Sequence, residues 1–273
     1  MTGGITNTQQ SSFGARFSPL SIYQRYPTGR AWFWDDFENT FMNWGNVNAG
    51  AGTSQRITTD AFQGGASMQM LTTAAGADAT EIFKRLPKMY KRVGVEFLWK
   101  QVSTGIGNQT ATFEHGYENY GTHNYSAYFF YFYRVGVGLE ARIQYQDQSG
   151  AFQTIIDLLN GQLPISAGIG QAWQSIKYVV DFSTFGAPTY EYYCLNGILV
   201  DMKHAPLFQW AGSGTENYME EVFFWLKNGG VATAQQSLLD NVIVTMDEPD
   251  VNTFSIQTGL PIQQLGYIPP VQP

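Results

Sequence analysis

Residues 173–202, WQSIKYVVDFSTFGAPTYEYYCLNGILVDM, carry the strongest structural signal in the chain. From Ile176 to Phe182 apolar and polar residues alternate, which is the period of a β-strand with one face on a core. The Asn196-Gly197 pair stands between two further strand-like runs, and this dipeptide is typical of a two-residue hairpin turn. The stretch therefore predicts one strand followed by a β-hairpin.

The same alternation recurs on both sides of this stretch. Val93, Val95, Phe97 and Trp99 share one face of a predicted strand. Other strands are predicted at Trp32–Glu38, Ser67–Thr73, Thr80–Leu86, Thr110–His115, Tyr125–Val135, Leu139–Tyr145, Glu220–Lys227 and Leu239–Met246. Short strands separated by Gly-rich turns predict an all-β fold, a two-sheet antiparallel jelly-roll sandwich. Only Ile155–Leu163 has a helical pattern.

The two ends differ from the middle in composition. Seven of the 11 prolines lie before residue 30 or after residue 246, and proline disfavours helices and central strands. We expect an extended N-terminal arm at 1–29, a jelly-roll body at 30–246 and an extended Pro-rich C-terminal tail at 247–273.

Composition excludes several classes of function. A formal net charge of −7 repels phosphate backbones, so nucleic acid is not an expected partner. No run is long enough to span a membrane, and the N-terminus lacks the pattern of a signal peptide, so we expect synthesis in the cytoplasm. Cys194 is the single cysteine, which excludes an internal disulfide and predicts a small buried residue on a strand.

Motifs of common enzymes are absent from the sequence. There is neither a Gly-x-Ser-x-Gly elbow nor a His-Glu-x-x-His zinc motif, and His115, His123 and His204 are scattered. Glu114 and Glu118 are the best-placed carboxylate pair, but Gly116 between them indicates a turn. We therefore predict a non-enzymatic protein with no catalytic residues.

The sequence resembles carbohydrate-binding-module and concanavalin-like jelly rolls at both ends of the body. The resemblance rests on Asp35-Asp-Phe-Glu38, on Ala61–Met68 and on the closing run Leu239–Val244, with the hairpin stretch between them. It implies a structural calcium ion held by Glu38 and Asp240 with help from Asp36, and no other cofactor. The alternative is that Asp240 caps a turn and Glu38 is solvated.

Proteins of this kind hold sugars on exposed aromatic rings. The resemblance implies such a role for Tyr117, Tyr120, Tyr125, Tyr128 and Trp210. However, residues 125–133 are aromatic on both faces, which favours a core or interface strand over a sugar platform.

Three functions are compatible with these features. The leading hypothesis is a virion structural protein, a bacteriophage capsid decoration or accessory protein that forms homo-oligomers and docks on a capsid or scaffold protein through its ends. The predicted docking residues are Phe13, Arg16, Phe17, Arg25, Arg30, Phe254, Leu260, Ile262, Leu265 and Tyr267. The second hypothesis is a carbohydrate-binding module or lectin-like protein, and the third is a sandwich enzyme that degrades glycans.

Overall fold

The structure is a computed structural model, and it is described here over thirteen segments of the chain. These are residues 29–39, 44–62, 64–75, 78–87, 91–102, 107–117, 123–135, 140–157, 173–184, 187–196, 198–211, 219–228 and 234–250. The described residues form β-strands and turns, and they contain no helix long and apolar enough to cross a membrane.

The strands belong to two eight-stranded sheets. Sheet A contains β1 (Arg30–Asp35), β3 (Thr53–Ile57), β4 (Ser67–Leu71), β6 (Arg92–Gln101), β11 (Gln174–Asp181), β12 (Thr189–Leu195), β13 (Ile198–Pro206) and β16 (Gln236–Met246). Sheet B contains β2 (Gly45–Ala49), β5 (Ala79–Pro87), β7 (Gly107–Tyr117), β8 (His123–Val135), β9 (Glu140–Gln146), β10 (Phe152–Asp157), β14 (Phe208–Ala211) and β15 (Met219–Asn228).

Every strand pairing in the two sheets is antiparallel. The strand order in sheet A is β13-β12-β11-β6-β16-β4-β3, and β1 pairs with the second half of β16. The order in sheet B is β10-β9-β8-β7-β15-β5-β2, with β14 beside the first part of β8. The predicted all-β antiparallel jelly-roll sandwich is confirmed.

Aromatic side chains from both sheets fill the space between them. Phe97 of β6 meets Phe224 of β15 edge to face, with ring centroids 4.9 Å apart. Phe129 of β8 lies 4.8 Å from Tyr178 of β11. Such tilted or edge-on pairs are the arrangement that aromatic rings prefer, and they join the two sheets into one core.

The predicted strands are present, with differences at their ends. Leu195 pairs with Ile198 across the predicted turn, and Asn196 has a φ of 51°, so the hairpin is confirmed. Cys194 is buried on β12, also as predicted. Strands β2, β3 and β14 were not predicted, because they have only five, five and four residues, which is too short for an alternation of apolar and polar residues to stand out.

The helical prediction for Ile155–Leu163 is wrong over its described part. Residues Ile155 to Asp157 lie in β10, which pairs with β9. The remaining residues, 158–163, lie outside the described part of the chain. The run Ile-Ile-Asp-Leu-Leu fits either a buried strand or a helix, and tertiary pairing decides between the two.

Candidate functional site

The outward face of sheet B, which points away from the core, presents partly exposed aromatic side chains. On β5 and β15, Ile82 and Phe224 are fully buried in the core. Side chains alternate along a strand, so Phe83 and Phe223 point to the opposite face. The strand register pairs these two residues, and their ring centroids are 5.8 Å apart.

An aromatic row crosses this face from β5 to β10, with Glu114 of β7 and Gln146 of β9 at the positions between its rings. Its four members are Phe83 on β5, Phe223 on β15, Tyr128 on β8 and Phe152 on β10. Phe152 is 55% exposed and lies opposite Gln146 at the far edge. From β5 to β10 there are five strand spacings, so the row is about 24 Å long. The row is long enough to contact an extended ligand.

Local features hold Phe83 in place within the row. The ring lies over Gly45 of β2, where a Cβ atom would overlap it. The guanidinium carbon of Arg85 lies 5.2 Å from the ring centroid, and Arg85 also forms an ion pair with Glu221. Because glycine leaves room for the ring and Arg85 packs on it, Phe83 has a defined position.

Beside the aromatic row, Glu81 and Trp225 form a second pair across β5 and β15. Burial, and to a smaller extent the charge of Glu221, raise the pKa of Glu81 to about 7. A carboxyl group with this pKa exists in both protonation states near neutral pH. It can therefore donate as well as accept a hydrogen bond at the surface of the sheet.

The aromatic residues predicted to bind sugars do not form one site. Tyr128 lies in the aromatic row, and its ring is 5.7 Å from Phe208. Tyr125 is only 5% exposed and belongs to the core, so its ring is not available for stacking and this prediction is corrected. Tyr117 and Trp210 are described only by their strand positions, and Tyr120 lies outside the described residues.

Sequence reasoning missed Phe83, Phe223 and Trp225. The sequences of β5 and β15 did contain an indication of this site. In both strands, aromatic residues stand at positions whose side chains point away from the core. A half-buried strand normally places polar residues there. Aromatic residues at such positions indicate a surface that a ligand or partner covers.

The loop between β3 and β4 joins two of the carboxylates predicted to bind calcium. Glu38 Oε1 accepts hydrogen bonds from the backbone N–H groups of Gly65 (2.7 Å) and Ala66 (3.1 Å). Asp240 Oδ2 accepts one from Phe62 N–H at 3.0 Å. Asp240 lies where β16 stops pairing with β4 and starts pairing with β1, so this loop connects the first and last strands of the body.

Asp36, Glu38 and Asp240 do not converge as a set of three ligands. Asp36 Oδ1 accepts a hydrogen bond from the backbone N–H of Glu38 at 3.2 Å, which makes it a local turn cap. The described residues contain one group of three His, Cys, Asp or Glu ligand atoms within ion-binding distance, and it lies elsewhere. The carboxylate oxygens of Glu38 and Asp240 keep lone pairs that could bind calcium. Because calcium takes six to eight oxygen ligands, backbone carbonyls would have to supply others.

The acidic residues at the start of the predicted tail pair with bases of the same chain. Asp247 binds Arg30 (2.9 Å) and Lys91 (2.6 Å), Glu248 binds Lys177 (2.8 Å), and Asp250 lies 3.5 Å from Arg92. Arg30 thus pairs with Asp247 of the same chain while its side chain stays 70% exposed, and its docking on a neighbouring subunit stays a prediction. The other predicted docking residues, at 13–25 and 254–267, lie outside the described part.

Comparisons with known proteins find solved structures that are similar to this chain, but no match to its sequence. No protein-family model matches the chain, and no curated protein matches it. Among solved structures, the chain is similar to an endo-β-1,4-glucuronan lyase from Trichoderma reesei, with 13% identity, 79% of this chain and 95% of that chain covered, and a TM-score of 0.48. It is also similar to a family 11 carbohydrate-binding module from Clostridium thermocellum, with 16% identity, coverage of 82% and 98%, and a TM-score of 0.40.

A third similar structure is a pseudo-β-1,3-glucanase of Mycobacterium tuberculosis, with 16% identity, coverage of 80% and 99%, and a TM-score of 0.44. A carbohydrate-binding module is thus among the structures that the chain is similar to, in line with the resemblance seen in the sequence. Binding and catalysis do not transfer between proteins at this level of similarity.

Proposed function

We propose that this protein binds a polysaccharide chain along the outward face of sheet B. The observation that carries the proposal is the aromatic row of Phe83, Phe223, Tyr128 and Phe152, which crosses the sheet in a line. Aromatic faces carry partial negative charge and pack against C–H groups, which cover the faces of pyranose rings. A line of rings therefore suits a repeating sugar chain.

Polar groups beside the row complete the chemistry that a sugar needs. Glu81, Arg85 and Glu221 lie on the same face as Phe83 and Phe223, each two residues away from one of them along β5 or β15. Sugar hydroxyls both donate and accept hydrogen bonds, and carboxylate and guanidinium groups match both roles. The combination of apolar lining and a few polar groups is typical of ligand sites.

Charge favours an uncharged ligand. Glu81 and Glu221 lie on the proposed surface, where Glu221 pairs with Arg85, and the whole chain has a net charge of −7. A polyanion would be repelled by such a surface. We therefore expect neutral polysaccharides to bind better than polyuronic acids.

The test is native gel electrophoresis in gels that contain mixed-linkage β-1,3-1,4-glucan, xylan or glucuronan. We expect at least one neutral polysaccharide to retard the wild-type protein. Phe223→Ala and Trp225→Ala should each weaken binding at least tenfold, about 1.4 kcal/mol. Trp173→Ala is the matched control, because Trp173 is a partly exposed aromatic residue that packs on Phe62 away from sheet B. Equal retardation of all variants would contradict the proposal.

One observation favours a second candidate, cleavage of a glycan. Enzymes that cleave glycosidic bonds use two carboxyl groups with different pKa values, and burial and, to a smaller extent, the charge of Glu221 raise the pKa of Glu81 to about 7. An assay for new reducing ends separates the two functions. Release of sugar by the wild type but not by Glu81→Gln would favour an enzyme, and binding without release would favour a binding protein.

The virion hypothesis depends on parts of the chain outside the described residues. Its predicted docking residues lie at 13–25 and 254–267, apart from Arg30, which pairs with Asp247. The described residues give it no support, so docking on neighbouring subunits and a location in a virion stay predictions.

A further inference from the structure

A cluster of ionisable side chains lies on sheet A, on the side of the sandwich opposite the aromatic row. Glu191 of β12 and His204 of β13 lie side by side, with Oε1 and Nδ1 2.7 Å apart. Asp250, just after β16, completes the group, and the three ligand atoms lie within 4.8 Å of one another. The two strands of one hairpin and the segment just after β16 thus meet at one place.

An irregularity in the sheet creates this meeting. The register between β12 and β13 shifts between Tyr190 and Tyr192, so Glu191 and His204 leave the regular ladder there. His204 has a φ of 55°. Such bulges change the direction of side chains and are common beside functional sites. Here the bulge brings an imidazole to a buried carboxylate.

The Glu191 carboxylate has unused capacity for a ligand. Its side chain is fully buried, and Oε1 takes the contact with His204 and a hydrogen bond from Thr189 Oγ1 at 3.0 Å. Oε2 is buried and makes no hydrogen bond with any residue that the structure describes. Its nearest cation is Arg92 Nε, 3.5 Å away, which is beyond good hydrogen-bond distance. A buried carboxylate oxygen without a hydrogen bond lowers the stability of the folded protein unless a ligand binds it.

The charges around the cluster leave room for a divalent cation. Arg92 also contacts Asp181 at 2.9 Å and Asp250 at 3.5 Å, so one guanidinium serves three carboxylates. With His204 neutral, the guanidinium of Arg92 and the carboxylates of Asp181, Glu191 and Asp250 have a combined charge of −2. A doubly charged ion would neutralise it, and Arg92 could remain on Asp181.

We infer that Glu191, His204 and Asp250 form a binding site for a divalent transition-metal ion such as Zn²⁺. An imidazole nitrogen and two carboxylate oxygens suit zinc, whereas calcium takes oxygen ligands alone. Tetrahedral zinc ligands stand about 3.3 Å apart, so modest side-chain rotations close the group around the ion. The His204 side chain is 53% exposed, which leaves a fourth position for water.

The site would fasten the chain just after β16 to strands β12 and β13. Zinc bound only by the folded state would raise the melting temperature. The inference does not depend on glycan binding, because the aromatic row belongs to sheet B.

The experiment uses the full chain after treatment with chelator, titrated with Zn²⁺ by calorimetry and with Co²⁺ by its visible spectrum. We expect one saturable site with a tetrahedral-type Co²⁺ spectrum, and at least tenfold weaker binding in His204→Ala and in Asp250→Asn. Asp60→Asn is the control, since Asp60 is a partly exposed acid that pairs with Lys100. It should bind like the wild type.

A second measurement on the wild type guards against misfolded variants. The chain has three histidines, so their imidazole proton signals can be resolved by NMR and that of His204 assigned with His204→Gln. Zinc should shift the His204 signal and leave His115 and His123 unchanged. Absence of saturable binding, or unchanged affinity in folded His204→Ala, would overturn the inference.

Discussion

Glu96 shows how a single buried charge affects the stability of this sandwich. It lies opposite Lys177 in the register of sheet A, and Lys177 Nζ is 2.8 Å from Glu248 Oε1. Burial raises the pKa of Glu96 to about 7, while Lys177 opposes this rise and Glu248 adds to it. One lysine cannot neutralise two carboxylates, so the neutral form of Glu96 is favoured near neutral pH.

This pKa predicts a loss of stability as the pH rises. The ordinary pKa of 4.5 applies to the unfolded chain, so between pH 4.5 and 7 the folded state binds more protons. Stability should therefore fall over this range, by at most about 3.4 kcal/mol. Glu96→Gln carries no charge at position 96 at any pH. The difference between its free energy of unfolding in urea and that of the wild type should therefore be larger, in favour of the variant, at pH 8 than at pH 5. Parallel pH profiles for the two proteins would refute this role.

Glu81 should make glycan binding depend on pH. A ligand that covers the outward face of sheet B removes water from Glu81, and this costs more free energy for the charged carboxylate than for the neutral acid. Binding should therefore weaken as the pH rises through about 7, the pKa of Glu81. Affinity gels run at pH 6 and pH 8 measure this. Glu81→Gln should bind equally at both values, and an equal pH effect in the variant would exclude Glu81 as the cause.

At the level of single residues, alternation predicted the core well and the surface poorly. Val93, Val95, Phe97 and Trp99 are completely buried, as their spacing predicted. The pattern does not indicate which outward residues meet across strands. Glu191, His204 and Asp250 come together through a bulge and a chain crossing, and no spacing in the sequence encodes either of them.

Among the elements, strand β12 shows how a bulge limits prediction. Strict alternation would put Tyr190, Tyr192 and Cys194 on one face of the strand. The register shift after Tyr190 instead leaves Tyr190 in the main core and puts Tyr192 and Cys194 in a second cluster with Val179 and Leu199. A one-residue shift moves side chains to the other face, and sequence periodicity does not reveal where it occurs.

The loop between β3 and β4 tests the calcium prediction at the scale of an element. If a calcium ion joins Glu38 and Asp240, the wild type should melt several degrees higher with calcium than with chelator, because the ion binds only the folded state. Asp240→Asn should lose this difference. Identical melting curves for the wild type would mean that no calcium ion joins the two carboxylates, which accept hydrogen bonds from the backbone N–H groups of Phe62, Gly65, Ala66 and Asn241.

For the whole molecule, the oligomeric state tests the assembly hypothesis. The described strands begin at Arg30 and end at Met246, and the salt bridges of Asp247 and Asp250 follow directly. We expect a protein cut to residues 30–250 to keep the fold and to sediment as a monomer, and the full chain to sediment as an oligomer if its ends dock on neighbours. If sedimentation gives the same number of chains per particle for both proteins, self-association through the ends is excluded.

The fold was predictable because it depends on repeated local patterns, whereas the candidate site depends on which strands become neighbours. Phe83 and Phe223 are 140 residues apart in sequence and face each other only because β15 inserts between β5 and β7. The sequence contains the alternation of each strand but not this order. The row of aromatic residues is therefore visible only in the assembled sheet.

Hydrogen–deuterium exchange with a saturating, soluble oligosaccharide of the best-bound polysaccharide tests the central claim most directly. A ligand on the aromatic row should slow amide exchange in 79–87 and 219–228 of sheet B, because binding opposes local opening of the strands it covers. Exchange in 189–195 and 198–206 of sheet A should not change. Protection confined to sheet A, or no protection at saturation, would contradict glycan binding at this surface.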